Sequence, residues 1–302
     1  MLTDNGLKRL PKGLVLGVPT RFLPLVRSRI VSPWAALRAG FDRYLPDDWP
    51  GEDESIGGLI RRRMGDQIAE RLVDPLIGSI NAGNTDHLDA AMVAPQLETA
   101  ARRNRSLIMG LREHKQNDHN DDEPVFVGFR EGMQQLTEGL VRSLAGSDIR
   151  TGVSVHAIEL GQNGLRVCGD TKSTEADAVI LTAPAHQAAE ILQTSSQASE
   201  RLSSIEHASV VLVTMGFKSS DVGNSLNGSG MLIPRNSGFL TTAVSWGSSK
   251  WRHWDDGEHV ILRVSAGRAG DTRALALDDN ELCLLYTSDA ADEGLGVDLG
   301  GR

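Results

Sequence analysis

The stretch from residue 148 to 192 constrains the fold most, because its apolar pattern changes period along the chain. Val153 and Val155 alternate with polar residues and, after a slip of one position, Ile158 and Leu160 continue the pattern. This is typical of a half-buried strand. The turn at 161–164 ends in Asn-Gly, a strong hairpin signal, and LRVCGD then returns as a second strand. The pattern predicts a small β-meander.

A continuous apolar run follows the meander. Residues 178–184 read AVILTAP and end at Pro184, which predicts a strand buried on both faces, as in a parallel sheet. Residues 185–193 then place Ala185, Ala188, Ala189 and Leu192 on one side of a predicted helix. Meander, buried strand and helix together predict a mixed α/β fold.

Composition excludes several classes of protein. The 302 residues suffice for about two domains. The net charge of −9, with no basic stripe carrying interleaved aromatics, argues against a nucleic-acid partner. Cys168 and Cys283 are too far apart for a disulfide framework or a zinc motif, so we predict no metal site and a cytoplasmic, reducing location. The sequence has no apolar run of about 18 residues that would span a membrane.

The first 105 residues predict a helical region. Residues 1–45 are short apolar and basic pieces separated by prolines, and Ser32-Pro33 predicts a helix start. Such segments suit either peripheral contact with a membrane surface or a helical lid, and both readings stay open. Residues 46–105 are predicted mostly helical, with Arg61, Arg62 and Arg63 on a solvated face. Ala82-Gly83 lies between helices, where a plain turn or a close approach of backbone to a flat group is expected.

The remaining sequence predicts a polar loop, a strand with a helix, and a sheet. Residues 114–123, with two His and four acids, read as a solvated loop rather than a metal site. Residues 125–129 predict a short strand, and the helix after it should turn Met133, Leu136, Leu140 and Leu144 inward.

Residues 267–271, GRAGD, lack the Lys-Ser/Thr of a phosphate loop and predict a turn. Four segments separated by Gly- and Ser-rich turns predict an antiparallel sheet: 208–217, 228–234, 239–246 and 259–267.

The last twenty residues do not continue the preceding pattern. Asp278 or Asp279 should cap a helix with Leu282 on its apolar face. The eleven residues CLLYTSDAADE, from Cys283, resemble the translation of a sequencing adapter. We therefore expect the natural sequence to end near Leu282 and treat 283–302 as a non-native tail, the alternative being a natural polar tail.

Several motifs, in order, carry a resemblance to a known family. They are LPKGLVLGVPT (10–20), SIGGLIRRRMGDQIAERLVDPLIGSINAGNTDHL (55–88), FREGMQQL, ADAVILTAPAHQAAEIL, ASVVLVTMGF, GSGMLIP, VSWGSSKW and LRVSAGRAGD. In this order they resemble the protoporphyrinogen/coproporphyrinogen oxidase family, FAD enzymes of the flavin amine oxidase superfamily. The resemblance covers the chain up to the adapter-like tail.

The resemblance implies a fold and a division of the chain. It implies part of an FAD fold with two dinucleotide-binding halves, a helical membrane-associating region and an antiparallel substrate sheet. Residues 1–123 would form the helical region, with 75–87 reaching the flavin. Residues 124–200 would be the middle segment of the FAD domain and 201–282 the substrate sheet.

The resemblance also implies site residues and chemistry. Val155, Ala183, Pro184, Ala82 and Gly83 would contact FAD. FAD would take hydride from a porphyrinogen and pass the electrons to O2, giving H2O2, as a step of haem biosynthesis, with the protein supplying placement and a dry cavity. A catalytic side chain is not identified, and Arg21, Arg263 and surface positions stay open for the propionates. The positions that resemble walls of the porphyrinogen site are Leu232, Val244 and Val264.

The sequence departs from the family at one decisive point. It contains no G-x-G-x-x-G turn, so the FAD pyrophosphate would lack a helix N-terminus. We expect Met1 to be an internal start and this chain to be an inactive fragment. Peripheral contact with the inner face of the cell membrane and a homodimer are compatible with the resemblance. The alternatives are a carotenoid desaturase or amine oxidase of the same superfamily, a non-catalytic truncated product, or a membrane-surface helical protein.

Overall fold

The computed structural model describes residues 1–46, 53–117, 127–161, 164–193, 195–222 and 226–284. The chain divides into two compact units. The first comprises Met1–Glu123 and Ala208–Arg302, and the second comprises Pro124–His207. The adapter-like tail from residue 285 onward, residues 118–126 of the predicted loop and strand, and Gln162-Asn163 of the predicted hairpin turn lie outside the described residues.

The first unit begins as an assembly of short helices around one apolar core. A two-residue hairpin, β1 (Leu14–Val15) and β2 (Val18–Pro19), precedes them. The fully buried Leu25, Ile60, Leu72 and Leu111 belong to the core that the helices share. The helices are α1 (Phe22–Ser28), α2 (Pro33–Gly40), α3 (Ile56–Met64), α4 (Asp66–Ile68), α5 (Ser79–Asn81), α6 (Ala90–Val93), α7 (Pro95–Arg103) and α8 (Leu107–Asn117).

Local sequence explains the starts of several of these helices. The Ser32 hydroxyl accepts from the Ala35 N–H at 3.2 Å, with Pro33 at the first helical position, which confirms the predicted start of α2. The Asp278 carboxylate likewise accepts from the Glu281 N–H, while the Glu281 carboxylate accepts from the Asp278 N–H, each at 2.9 Å. This capping box begins the predicted helix at 279.

The prediction of a wholly solvated arginine face on α3 is wrong. Arg63 is 5% exposed, and its Nε donates to the buried Asp42 carboxylate at 2.8 Å. Arg61 is only partly exposed and pairs with the carboxylates of Asp66, Glu70 and Asp86. The helix packs on two sides here, so its second and third turns place charges inside the unit, where they need partners.

The sheet of the first unit confirms the four predicted strands. In chain order these are β6 (Val211–Lys218), β7 (Gly230–Leu232), β8 (Thr241–Trp246) and β9 (His259–Ala266), arranged spatially as β6-β9-β8-β7 with antiparallel neighbours. A four-residue helix, α12 (Gly247–Lys250), follows β8. Alternate residues of the strands form a second core, which includes Met231, Val244, Leu262, Val264 and Leu282. The turn predicted at 267–271 is confirmed by a reciprocal pair of backbone hydrogen bonds between Arg268 and Asp271.

The second unit contains the predicted meander. Strands β3 (Val155–Leu160), β4 (Leu165–Gly169) and β5 (Ser173–Ala176) pair antiparallel in that order. The register shifts between Val155 and Ala157, where the sequence pattern slips. Among the described residues of this unit, the buried apolar ones are Ile158, Ala188 and Ala189. Its helices are α9 (Gln134–Ser143), α10 (Ala185–Ile191) and α11 (Ser196–Ser203).

Three predictions for the second unit are wrong. Residues 178–184 form no strand, and Ile180 is 90% exposed. A strand exists only where a neighbour pairs with its backbone, and no described strand lies parallel to this run. Residues 127–129 are not a strand either. The apolar face of α9 points outward, since Met133, Leu136, Leu140 and Leu144 are all exposed.

Candidate functional site

The helix before the Ala82-Gly83 turn is irregular because it contains a proline. Residues 66–81 are continuously helical, but Ala69–Gly78 is π-helical and contains Pro75. Proline has no N–H to donate, so the regular ladder is interrupted there. The Ser79 hydroxyl donates to the Pro75 carbonyl, and the Asn81 amide donates to the Ile77 carbonyl at 2.9 Å. Side chains thus satisfy carbonyls that the widened helix leaves open.

The turn itself is tighter than the sequence suggests. Ala82, and not the following glycine, takes the left-handed conformation, with φ 49° and ψ 23°. Gly83 instead has a close neighbour: a Cβ there would lie 2.9 Å from a methyl of Leu88, which would have to shift. Ala82 is therefore the strained residue of this turn, and such strain is typical of functional turns.

Backbone and side-chain hydrogen bonds hold this turn against the end of the sheet. The Ala269 N–H donates to the Ala82 carbonyl at 2.7 Å. Arg235 donates from Nη2 to the Gly83 carbonyl at 2.8 Å and from Nη1 to the Ala269 carbonyl at 3.0 Å. One guanidinium thus joins two turns that are distant in the sequence, since Gly83 and Ala269 are 186 residues apart. We name Ala82, Gly83, Arg235 and Ala269 the clamped turn.

An acidic side chain supports the clamped turn from the helix side. The Asp74 carboxylate accepts from the Thr85 N–H at 3.1 Å and from the Thr85 hydroxyl at 3.0 Å. Its other oxygen lies 3.7 Å from Arg235 Nε, which is buried and has no hydrogen-bond partner among the described residues. Arg268 is nearby, where burial and the charge of Arg235 lower its pKa. Asp74 therefore orients the segment after the turn and balances the adjacent arginines.

The cavity between these groups is small. It has a volume of about 30 Å³ and is lined by Asp74, Ala82, Arg235, Gly267 and Arg268, among others. That is room for one or two water molecules. A flavin ring or a tetrapyrrole needs a site roughly ten times larger. The clamped turn is thus a packed support at this point, and a large ligand would have to contact its outer side.

The three predicted wall residues do not share one face of the sheet. Val244 lies opposite Val264, and both side chains are buried in the sheet core, 4% and 2% exposed. Leu232 lies opposite Ala243, one position along, so it faces the other side and packs against the helical core. Arg263 alternates with Val264 and lies on the side away from the sheet core. The roles of Leu232, Val244 and Val264 as walls of a porphyrinogen site stay predictions.

The second unit contains the other predicted flavin contacts. Val155 is the first residue of β3, pairs only with Gly169 and is 37% exposed. Ala183 and Pro184 lie immediately before α10, where Pro184 is the N-cap residue. Val155 therefore has an open backbone edge that an adenine could contact. Described residues enclose neither Val155 nor the Ala183-Pro184 segment.

The described residues do not fit the whole of an FAD. The flavin contacts at Val155 in the second unit and at Ala82-Gly83 in the first unit stay predictions. The pyrophosphate, however, needs several N–H groups at a glycine turn, and the sequence has no such motif. We therefore derive no catalytic step through the flavin.

Sequence reasoning missed Arg235, Asp74 and Arg268. Arg235 follows the predicted strand GSGMLIP and belongs to no motif. For Asp74 the sequence offered one signal. Pro75 follows it within a segment whose apolar residues have helical spacing, and a proline there indicates a distorted helix.

Residues 5–292 match the family described as flavin containing amine oxidoreductase. The chain belongs to this family.

Among the relatives of this chain, two curated proteins and one solved structure are informative. Coproporphyrinogen III oxidase of Bacillus subtilis is 31% identical over 295 residues, which cover 96% of this chain and 63% of that protein. The chloroplast protoporphyrinogen oxidase 1 of Arabidopsis thaliana is 25% identical, over 93% and 59%. A crystal structure of a protein assigned as a protoporphyrinogen oxidase, from Exiguobacterium sp. 255-15, superposes with a TM-score of 0.83 at 27% identity, over 100% and 65%.

These matches support the mixed α/β fold and limit what can be carried over. The chain spans less than two thirds of the length of each of these relatives. A putrescine oxidase variant has a TM-score of 0.58 at 14% identity, which indicates a shared fold alone. In the described part of this chain, no helix is both long enough and apolar enough to cross a bilayer.

Proposed function

We propose that this chain is part of an FAD-dependent oxidase that converts a porphyrinogen, coproporphyrinogen III or protoporphyrinogen IX, to the porphyrin in haem biosynthesis. The clamped turn is the observation that carries the proposal. A strained, hydrogen-bonded backbone corner at the end of the sheet can present peptide groups to a flat ring with little motion. The porphyrinogen oxidases among the relatives give the substrate class.

The cofactor would supply the redox chemistry, since bound FAD accepts a hydride and is reoxidised by O2. In this chain Val155, Ala183, Pro184, Ala82 and Gly83 are the proposed flavin contacts, and Arg263 is the proposed partner of a propionate from the open side of the sheet. The Asp74–Arg235 pair would keep the turn in place while a ligand binds.

A chimera tests this proposal without requiring the chain to act alone. Residues 5–282 would replace the matching segment of the Bacillus subtilis relative, which would supply a glycine-rich phosphate turn. We expect stoichiometric flavin absorbance and the appearance of porphyrin fluorescence from coproporphyrinogen III, with O2 consumed. A flavin-loaded chimera that oxidises an amine such as putrescine and neither porphyrinogen would contradict the proposal. The unfused chain should purify without flavin, since its own sequence lacks that turn.

We also propose that the first two helices contact a membrane surface at the inner face of the cell membrane. Trp34 and Leu23 are 79% and 55% exposed, and Arg27 and Arg29 are exposed close by in the sequence. Aromatic and basic residues together favour an anionic bilayer interface. Sedimentation with anionic vesicles should fall several-fold for Trp34→Ser combined with Leu23→Ser. Equal sedimentation of the variant would count against this contact. Light scattering after gel filtration tests the proposed homodimer.

A further inference from the structure

A second, much larger cavity lies in the helical part of the first unit, outside the clamped turn. Its volume is about 640 Å³, within the range of sites that enclose organic ligands. It is formed by the segment after β2, the end of α2 with the following turn, and the start of α8. Its apolar lining includes Phe22, Leu25, Leu37, Phe41, Ile108 and Met109.

The described lining of the cavity is positively charged, because it contains Arg21, Arg43 and Arg112 and no acid among the described residues. None of the three forms an ion pair with a described carboxylate. Two described acids adjoin these arginines in the sequence. Glu113, next to Arg112, is exposed and lies outside the lining. Asp42, next to Arg43, is fully buried and is already paired with Arg63 at 2.8 Å. The Ser106 hydroxyl and the Ile108 N–H also donate to the Asp42 carboxylate. Asp42 is therefore not available to neutralise the cavity.

Two of the arginines have a defined placement. Arg112 Nε donates to the Thr20 carbonyl at 2.7 Å, which fixes that guanidinium and leaves its other nitrogens for a ligand. The Arg43 guanidinium lies 5.4 Å from the centre of the Tyr44 ring, close enough for a cation–π contact. Planar guanidinium groups match carboxylates bidentately, and the apolar lining suits a carboxylate that is carried on an apolar body.

We propose that this cavity binds an amphipathic organic carboxylate, with its apolar body among the phenylalanine and aliphatic side chains and its carboxylates on Arg21, Arg43 and Arg112. Two sources have this chemistry, a tetrapyrrole bearing propionates and a fatty acid. The site involves none of the proposed flavin contacts. Its tetrapyrrole arm rests on the proposed function, because Arg21 is one of the residues left open for the propionates, whereas palmitate binding is independent of that function.

Equilibrium binding to the full 302-residue chain tests the site. The probes are coproporphyrin III and palmitate, with coproporphyrin tetramethyl ester and hexadecanol as neutral counterparts. We expect saturable binding of one carboxylate probe at one molecule per chain, and at least ten-fold weaker binding of its neutral counterpart. Porphyrin binding would assign the site to a tetrapyrrole, and palmitate binding would assign it to an acyl chain.

Variants distinguish specific binding in the cavity from nonspecific binding to the protein surface. Arg21→Gln and Arg43→Gln should each weaken binding about ten-fold, the usual scale for losing a charge-assisted contact. Arg252→Gln, at an exposed arginine outside the lining, should change it less than two-fold. Gly40→Leu should block the cavity, since Gly40 lines it and a Cβ there has ordinary contact with Phe22 at 3.5 Å.

Circular dichroism would verify that each variant is folded. Binding that is equal in the acid and its neutral counterpart, or that is unaffected by Arg21→Gln and Arg43→Gln in folded protein, would overturn the proposal. Absence of saturable binding of both carboxylate probes to the folded chain would overturn it as well.

Discussion

The guanidinium of Arg235 donates a hydrogen bond to the carbonyl oxygen of Gly83 at 2.8 Å, across 152 residues of sequence. The same group donates to the Ala269 carbonyl, so one side chain holds the clamped turn on both sides. The connection between the irregular helix and the sheet therefore depends strongly on a single arginine.

Replacing that arginine should loosen the first unit. Arg235→Met removes two charge-assisted hydrogen bonds and leaves two carbonyls to find other partners, so we expect a loss of about 2 kcal/mol in the free energy of unfolding. Urea denaturation followed by tryptophan fluorescence measures it. Arg252→Met, at an exposed arginine, is the control and should change stability by less than about 0.5 kcal/mol. Equal losses in the two variants would contradict the clamp.

Relieving the backbone at Ala82 should have the opposite effect. Ala82→Gly removes the steric cost of a Cβ in the left-handed region and should stabilise the chain by about 0.5–1 kcal/mol. Ala101→Gly, inside the right-handed helix α7, should instead destabilise by about 1 kcal/mol. The two urea midpoints should therefore move in opposite directions from that of the unmodified chain. A matching fall for both would show that Ala82 is not strained.

Two adjacent glycines in α3 should respond differently to an added methyl group. At Gly57 a Cβ would meet the carboxylate of Asp86 and lie 2.9 Å from its Cα, which is backbone and cannot move aside. Gly57→Ala should destabilise by about 1–3 kcal/mol. At Gly58 the nearest atoms are side-chain oxygens, the Glu54 carboxylate at 2.8 Å and the Ser55 hydroxyl at 3.0 Å, and moving them disturbs the Glu54–Arg62 ion pair and the helix cap but no distant backbone. Gly58→Ala should therefore destabilise less than Gly57→Ala, and thermal unfolding of both variants compares them directly.

The turn after β9 should show a pH dependence of known sign. Asp271 accepts from Arg273 Nε at 2.8 Å and Nη2 at 2.7 Å, and these hydrogen bonds lower the pKa of the Asp271 carboxyl to about 2. A depressed folded-state pKa contributes stability above the ordinary carboxyl pKa of about 4, and this is lost as the pH falls through the folded value. The stability deficit of Asp271→Asn should thus be constant from pH 5 to 8 and shrink below pH 4.

The partner of Asp271 provides the control for this titration. Arg273→Gln should return the pKa of Asp271 toward its ordinary value, because the largest cause of the shift is removed. A carbon-detected NMR titration of the carboxyl groups measures the midpoint. An unchanged midpoint in Arg273→Gln would refute the assigned cause.

The sequence by itself determined the elements whose signals are local. The capped start of α2, the capping box at Asp278 and the four strands of the sheet follow from residue type and spacing, and the register slip at Val155 was visible as a break in the alternation. The motif order also indicated the flavin amine oxidase superfamily, which the match of residues 5–292 confirms.

Only the tertiary structure decided which residues meet. Residues 178–184 have the composition of a buried strand, but a strand needs a hydrogen-bonded neighbour, and the described sheets offer none. Arg63 looks solvated in the sequence, and Asp42, 21 residues away, makes it a buried ion pair. Arg235 carries no local signal, because its role comes from two turns that approach it from distant parts of the chain. Local propensity is short-ranged, whereas burial and pairing depend on contacts that form only when the whole unit has packed.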